Sequence, residues 1–171
     1  MSIESVKTKP EFSHLTELEN RYAGAASVAK NIRKDLKKHF PTTKFSVRKD
    51  GHNAIDISWT DGQTSSEVKE LLGKFKTGSS SHCGDYMDNV HSSFSDVFGG
   101  VTYLWICRDF SDEKVLVAIK ALKEEHENDD NDVTVEGYRN GSMQNISPIC
   151  NFDGHHHWSW AAMLDRKLAE S

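Results

Sequence analysis

Residues 25–62 read AASVAKNIRKDLKKHFPTTKFSVRKDGHNAIDISWTDG, and this stretch decides the fold. Its first half places apolar residues three and four positions apart, which predicts an amphipathic helix that ends before Pro41. Its second half alternates apolar and polar residues on either side of Asp50-Gly51, which predicts a two-stranded hairpin. The apolar helix positions are Ala25, Val28, Ala29, Ile32, Leu36 and Phe40.

Further elements are predicted on both sides of this stretch. Thr64-Ser65-Ser66-Glu67 has the pattern of a capping box, so a helix is expected to begin there and run past Phe75. Residues 1–12 are expected to form a mobile or loosely docked arm. The remaining predicted elements are a helix over 14–22 capped by Ser13, a buried strand over 101–107, a helix capped by Ser111, an edge strand over 133–138 and a helix over 158–168.

The order of these elements predicts an α+β fold with a small, mostly antiparallel sheet packed by amphipathic helices. No glycine-rich phosphate loop is present, which argues against a dinucleotide-binding fold. At 171 residues we expect one domain over 13–171. Within it, residues 25–110 would form the core and residues 111–171 a C-terminal extension.

Composition restricts the classes of protein that the chain can belong to. Apolar residues make up 36% and charged residues 27%, as in soluble folded proteins, and the net charge is −5. No apolar run is long enough to span a membrane, and the N-terminus lacks the apolar region of a signal peptide. Three widely spaced cysteines favour reduced thiols, and Cys107 is predicted to lie in the core. We therefore expect a cytoplasmic protein without a membrane partner.

Three segments of the chain together resemble a known family. They are residues 29–41, which end in Phe40-Pro41, residues 44–48 (Lys-Phe-Ser-Val-Arg), and residues 55–62, which contain Trp59-Thr60-Asp61-Gly62. In this order they resemble the twenty-ninth family of large polyvalent protein-associated domains, over about residues 25–110. Gln63 stands where the family pattern leads us to expect proline. The resemblance implies a small α+β module from a phage, plasmid or other mobile element, and it implies no defined reaction.

A basic surface is the strongest candidate binding site in the sequence. Basic side chains gather on the polar side of the 25–40 helix and in the first strand, where they could contact phosphates or an acidic protein. An ordinary solvated helix face has the same pattern and is the more frequent explanation. The residues are Lys30, Arg33, Lys34, Lys37, Lys38, Arg48 and Lys49.

The turn at Trp59, Asp61 and Gly62 has two interpretations. Asp61 could be presented to a ligand at the start of the following helix. Alternatively, the turn is structural, with Trp59 buried and the helix capped by Thr64. The capping pattern favours the structural interpretation.

Histidine-rich positions offer a weaker metal site. Zinc requires four nitrogen or sulfur ligands in a tetrahedron, and consecutive histidines point in different directions. No Cys-x-x-Cys pair is present, so we predict no cofactor and keep zinc as the alternative. We predict no catalytic residue, because no nucleophile and base have a recognisable spacing. The candidate ligands are His155, His156, His157, His82 and Cys83.

Three functional hypotheses follow from these patterns. The first is a non-enzymatic phage-like or mobile-element-like protein that binds and inhibits a host macromolecule, such as a protein of a defence system. The second is a nucleic-acid-binding protein that uses the basic face of the 25–40 helix. The third is a metal-dependent enzyme that uses His155, His156 and His157. A homodimer through the sheet is a further possibility.

Overall fold

A computed structural model describes residues 3–18, 24–80, 87–89, 92–125, 132–145 and 159–169. The chain divides into two compact units, Met1–Asp109 and Phe110–Ser171, and each has its own hydrophobic core. The boundary falls where the C-terminal extension was expected to begin. The expectation of a single domain over 13–171 stays a prediction.

The first unit contains most of the regular structure. Its elements are helices α1 (Ile3–Lys7), α2 (Ala25–His39), α3 (Ser65–Leu72) and α4 (Ser93–Phe98), and strands β1 (Ser46–Asp50), β2 (Ala54–Thr60), β3 (Gly78–Ser80), β4 (Met87–Asn89) and β5 (Tyr103–Asp109). Short 3₁₀ turns lie at Pro10–Phe12 and Gly73–Phe75.

The predicted amphipathic helix is confirmed as α2. Its residues Ala25, Val28, Ala29, Ile32 and Leu36 are buried, as the spacing requires. The helix ends before Pro41, because the residue preceding a proline is excluded from the helical conformation. Two polar side chains, Asn31 and Asp35, are also buried on this helix, against the expectation that polar residues lie on its solvent side.

The sheet joins β1, β2 and β5, with β2 in the centre. Strands β1 and β2 form the predicted antiparallel hairpin, and Gly51 in its turn has a φ of 63°. Strands β2 and β5 are parallel, since α3 and α4 lie between them in the chain. The α+β class is therefore confirmed, and the three-stranded sheet is mixed. A separate antiparallel pair is formed by β3 and β4.

The N-terminal segment, residues 3–18, differs from the prediction. Residues 1–12 were expected to be a mobile arm, but α1 and the Pro10–Phe12 turn occupy this region, and Val6 is only 2% exposed. The helix predicted over 14–22 is wrong for residues 14–18, which form a turn, a bend and irregular chain. Here the Thr16 backbone bonds to the Asn31 side chain in place of a helical partner.

All the regular secondary structure described in the second unit is helical. It contains α5 (Asp112–Glu125), α6 (Val135–Arg139), a 3₁₀ turn (Ser142–Asn145) and α7 (Trp160–Ala169). The helices expected after Ser111 and near the C-terminus are confirmed. The edge strand predicted over 133–138 is wrong, because Thr134 caps α6 by accepting a hydrogen bond from Gly137 N at 3.0 Å. No helix in the described part of the chain is long and apolar enough to cross a membrane.

Candidate functional site

The three-stranded sheet has one face packed on the core and one face open to solvent. Along the strands, Val47, Ile57 and Ile106 occupy one cross-strand row on the inner face. The next row, on the opposite face, contains Arg48, Asp56 and Trp105. We call the second side the outer sheet face. Its residues are Ser46, Arg48, Asp50, Ala54, Asp56, Ser58, Thr60, Tyr103, Trp105, Cys107 and Asp109.

Two large aromatic side chains stand on the outer sheet face. Tyr103 and Trp105 lie two residues apart on β5, so they point to the same side. Their ring centroids are 5.9 Å apart and their planes differ by 4°, a stacked arrangement. Trp105 is 56% exposed and Tyr103 is 39% exposed. An exposed tryptophan ordered by a neighbouring ring is a typical anchor in protein interfaces.

The strand that carries these rings was expected to be buried. Strand β5 lies at the edge of the sheet, so only its Leu104 and Ile106 side packs on the core. Cys107, predicted to be a core residue, is exposed on the outer sheet face, and that prediction is wrong. An apolar run identifies a strand, but its position in the sheet depends on partners far away in the sequence.

Charged residues surround the aromatic pair. Asp56 is the β2 residue in register with Trp105, and Arg48 is in register with Asp56 on the other side. Asp50 lies in the same cross-strand row as Tyr103, because both are in register with Ala54 of β2. None of these three charged side chains has a hydrogen bond or an ion pair with any residue that the structure describes. The outer sheet face therefore combines exposed rings with charges that no described residue neutralises.

The basic surface predicted from sequence is partly used inside the first unit. Arg33 Nη2 donates a hydrogen bond to the Val47 carbonyl, and Lys34 Nζ donates one to Thr16 Oγ1. Lys38 Nζ donates to the Glu11 carbonyl at 3.1 Å and lies 3.2 Å from His14 Nδ1. These three side chains thus attach α2 to its neighbours. The other members, Lys30, Lys37, Arg48 and Lys49, are exposed.

Asp35 is the centre of a charged cluster that the sequence patterns do not reveal. Its carboxylate has no exposed surface, and Oδ1 lies 2.7 Å from His14 Nε2 and 3.5 Å from His39 Nδ1. Lys74 Nζ lies 2.7 Å from Oδ2, as an ion pair and not as an aligned hydrogen bond. The same ammonium is 5.5 Å from the centre of the Phe12 ring. The cluster therefore fixes the N-terminal segment to α2 and to the Gly73–Phe75 turn.

The turn at Trp59, Asp61 and Gly62 has a structural role in the geometry. Trp59 is buried and its Nε1 donates to the Gln63 carbonyl at 3.0 Å, as the structural interpretation requires. Asp61 and Gly62 have φ values of 59° and 66°. The capping box is confirmed: Thr64 accepts from Glu67 N, and the Glu67 carboxylate accepts from Thr64 N at 2.8 Å. This hydrogen bond lowers the pKa of Glu67. A ligand at Asp61 stays a prediction.

The proposed metal ligands His82, Cys83, His155, His156 and His157 lie outside the described residues. Among the residues that are described, no group of three or more histidine, cysteine, aspartate or glutamate side chains could hold a metal ion. The zinc alternative therefore stays untested, and no ligand set for it is on the described surface.

A groove of about 550 Å³ lies between α5 and α7 of the second unit. Apolar side chains dominate its walls, and Val117 beside it is 66% exposed. Lys167, which also lines it, is paired with the Glu125 carboxylate. The groove brings together no nucleophile and base. Its lining residues are Glu113, Lys114, Val117, Ala118, Ala121, Lys167 and Leu168.

The fold and the outer sheet face define a small α+β module that presents a sheet surface to solvent. Residues 23–111, just over half of the chain, match the family described as Large polyvalent protein associated domain 29, and the chain belongs to this family. The membership associates the protein with phages and other mobile elements. No curated protein and no solved structure matches the chain. The match ends before α5 and begins after the N-terminal segment.

Proposed function

We propose that this protein is a non-enzymatic binding protein of a mobile element, and that it engages and inhibits a host protein, such as a component of a defence system, in the bacterial cytoplasm. The observation that carries the proposal is the stacked, exposed pair Tyr103 and Trp105 on the outer sheet face. Burying a tryptophan ring away from water is favourable, so a partner that covers Trp105 would gain binding free energy.

The choice of a protein over a nucleic acid rests on the charges of both candidate surfaces. The outer sheet face carries Asp50, Asp56 and Asp109 against Arg48. Such a face repels a phosphate backbone. On the basic side of α2, Arg33, Lys34 and Lys38 already have partners within the unit.

The test is affinity capture from a bacterial lysate, divided into nuclease-treated and untreated halves and analysed by mass spectrometry. Wild-type protein is compared with Trp105→Ala and with Val117→Ala, a matched loss of an exposed apolar side chain in the other unit. We expect one host protein to be captured both with and without nuclease treatment. Wild-type protein and Val117→Ala should capture it, and Trp105→Ala should not. The proposal would be overturned if the captured proteins are lost after nuclease treatment, or if Trp105→Ala captures them as well as wild-type protein does.

Inhibition needs a separate measurement. The captured protein is purified and its activity is assayed with increasing amounts of wild-type protein or of Trp105→Ala. We expect wild-type protein to reduce the activity in a saturable way and the variant to have a much smaller effect. If saturating wild-type protein leaves the activity unchanged, the proposed binding still holds but the proposed inhibition is refuted.

A further inference from the structure

We propose that the outer sheet face binds an arginine side chain of its protein partner, with the guanidinium group against the Trp105 ring and the Asp56 carboxylate as its counter-charge. This inference rests on the proposed function, because it names the chemistry by which the same surface would recognise the partner. It follows from the position of the aromatic pair and from two carboxylates, Asp50 and Asp56, that have no partner among the described residues.

The geometry of β5 leaves one side of the Trp105 ring accessible. On the outer sheet face its neighbours along the strand are Tyr103 and Cys107. Tyr103 stacks against the indole, with the two ring planes nearly parallel. On the other side, Cys107 is in register with Ser58 and Ser46, three small side chains in one row. A flat group of the size of a guanidinium therefore has room beside the indole.

The charge beside the indole selects a cation. Asp56 is the residue in register with Trp105 on the adjacent strand, and such neighbours are about 5 Å apart. The carboxylate forms no ion pair or hydrogen bond with any described residue, including Arg48 across the next strand. A guanidinium can stack on a tryptophan and pair with a carboxylate at the same time, because it is planar and carries donors along its edge.

The alternative occupant is a single-stranded nucleic acid, whose bases could stack on Tyr103 and Trp105. Its phosphates would then lie against Asp50 and Asp56. Electrostatic repulsion makes this arrangement unfavourable at low ionic strength, where nucleic-acid binding is normally strongest. The outer sheet face therefore favours a cationic side chain, and the nucleic acid becomes an outcome of the test.

The test uses two acetylated, amidated tripeptides, Gly-Arg-Gly and Gly-citrulline-Gly. Citrulline has almost the shape of arginine but no charge. The peptides are titrated into the full chain while the indole N–H resonance of Trp105, assigned by its loss in Trp105→Phe, is followed by NMR. We expect a saturable shift with the arginine peptide and about tenfold weaker binding of the citrulline peptide.

Two variants locate the counter-charge. Asp56→Asn is expected to weaken the binding of the arginine peptide about fivefold, whereas Glu70→Gln, the same charge change at an exposed site on α3, leaves it unchanged. Equal shifts with both peptides, or no effect of Asp56→Asn, would overturn the inference. A shift produced by oligothymidylate at lower concentration than by the arginine peptide would also overturn it, in favour of nucleic acid.

The two proposals fail in different ways. A lysate partner could require Trp105 and yet bind Asp56→Asn as well as it binds wild-type protein. This result would support the proposed function and overturn the arginine inference. Conversely, an arginine-specific NMR shift without any Trp105-dependent protein in the lysate would overturn the host-protein proposal, while the surface would still be shown to recognise arginine.

Discussion

Asp35 Oδ1 lies 2.7 Å from His14 Nε2, so a carboxylate without exposed surface joins α2 to a segment that lies outside the family match. A buried charge is tolerated only where partners compensate it, and here His14, His39 and Lys74 surround it. The contact therefore makes the N-terminal segment part of the fold of the first unit.

Replacing the buried carboxylate is expected to destabilise the protein. Asp35→Asn removes the charge that compensates Lys74 and should lower the free energy of unfolding by about 3 kcal/mol, the lower end for a broken buried ion pair, since Lys74 keeps some exposure. Chemical denaturation followed by circular dichroism measures the change. Asp56→Asn, at an exposed carboxylate without a partner among the described residues, should change stability by less than about 0.5 kcal/mol. Equal effects of the two variants would contradict the prediction.

The amide of Asn31 should control the attachment of the N-terminal segment. Its Nδ2 donates to the carbonyls of Thr16 and Phe98 at 2.8 and 2.9 Å, and its Oδ1 accepts from Thr16 N. Asn31→Ala leaves these groups unsatisfied, which we expect to cost about 3 kcal/mol and to make residues 3–18 the first site of proteolysis. Limited proteolysis with mass spectrometry measures this. Gln144→Ala, at an exposed amide, serves as control. An unchanged cleavage pattern in Asn31→Ala would refute the role of this amide.

Gly99 should not accept a side chain. Its φ of 86° and ψ of 164° belong to a region that is essentially restricted to glycine. A Cβ there would lie 2.7 Å from Leu18 Cδ1 and 2.8 Å from Val28 Cγ2. We expect Gly99→Ala to lower the free energy of unfolding by about 3 kcal/mol, from backbone strain together with overpacking.

Gly73 is the matched control for that substitution. It has a helical φ of −52°, and no atom lies within 4 Å of the position that a Cβ would occupy. Gly73→Ala should therefore leave stability unchanged or raise it by about 0.5 kcal/mol, because it restricts the unfolded chain. Both variants are compared in the same denaturant titration. If both variants lose a similar amount of unfolding free energy, backbone strain and steric overlap at Gly99 are not the cause of the loss.

The capping box predicts a pH dependence. Hydrogen bonds from Thr64 lower the pKa of Glu67 below its ordinary value of 4.5. A lowered folded-state pKa adds stability that is fully present above the unfolded-state pKa and is lost as the pH falls through the folded value. Glu67→Gln should therefore show a smaller loss of stability than wild type on acidification below about pH 4.5. Thermal melts between pH 6 and pH 3 compare them, and parallel curves would contradict the prediction.

Local signals made much of the fold predictable from sequence. The spacing of apolar residues in α2, the Asp50-Gly51 turn and the Thr64 capping box act over a few residues, and each appears in the structure where it was predicted. By contrast, the β-branched run at 133–135 indicated a strand. The cap at Thr134 and the packing of Gly137 against Met143 produce a short helix there instead.

The features that were missed depend on partners distant in sequence. Asn31 and Asp35 follow Val28 at helical spacing, so their burial could have been suspected, but their partners at Thr16 and His14 could not. The outer sheet face was missed for a similar reason. Tyr103, Trp105 and Cys107 alternate with Leu104 and Ile106, which signals a strand with one exposed side, yet only the sheet order places β5 at the edge.

The match to the family begins at residue 23, whereas the first unit also includes the N-terminal segment, residues 3–18, and this difference bears on how the domain is inherited. Recombination between mobile elements at the family boundary would transfer α2 without His14 and without Thr16, whose backbone makes two of the three hydrogen bonds of Asn31. The buried Asp35 of the recipient chain would keep His39 and Lys74, which lie inside the family match, but it would lose its contact with His14. We therefore expect the family domain to be less stable when it is transferred alone than when residues 3–18 accompany it.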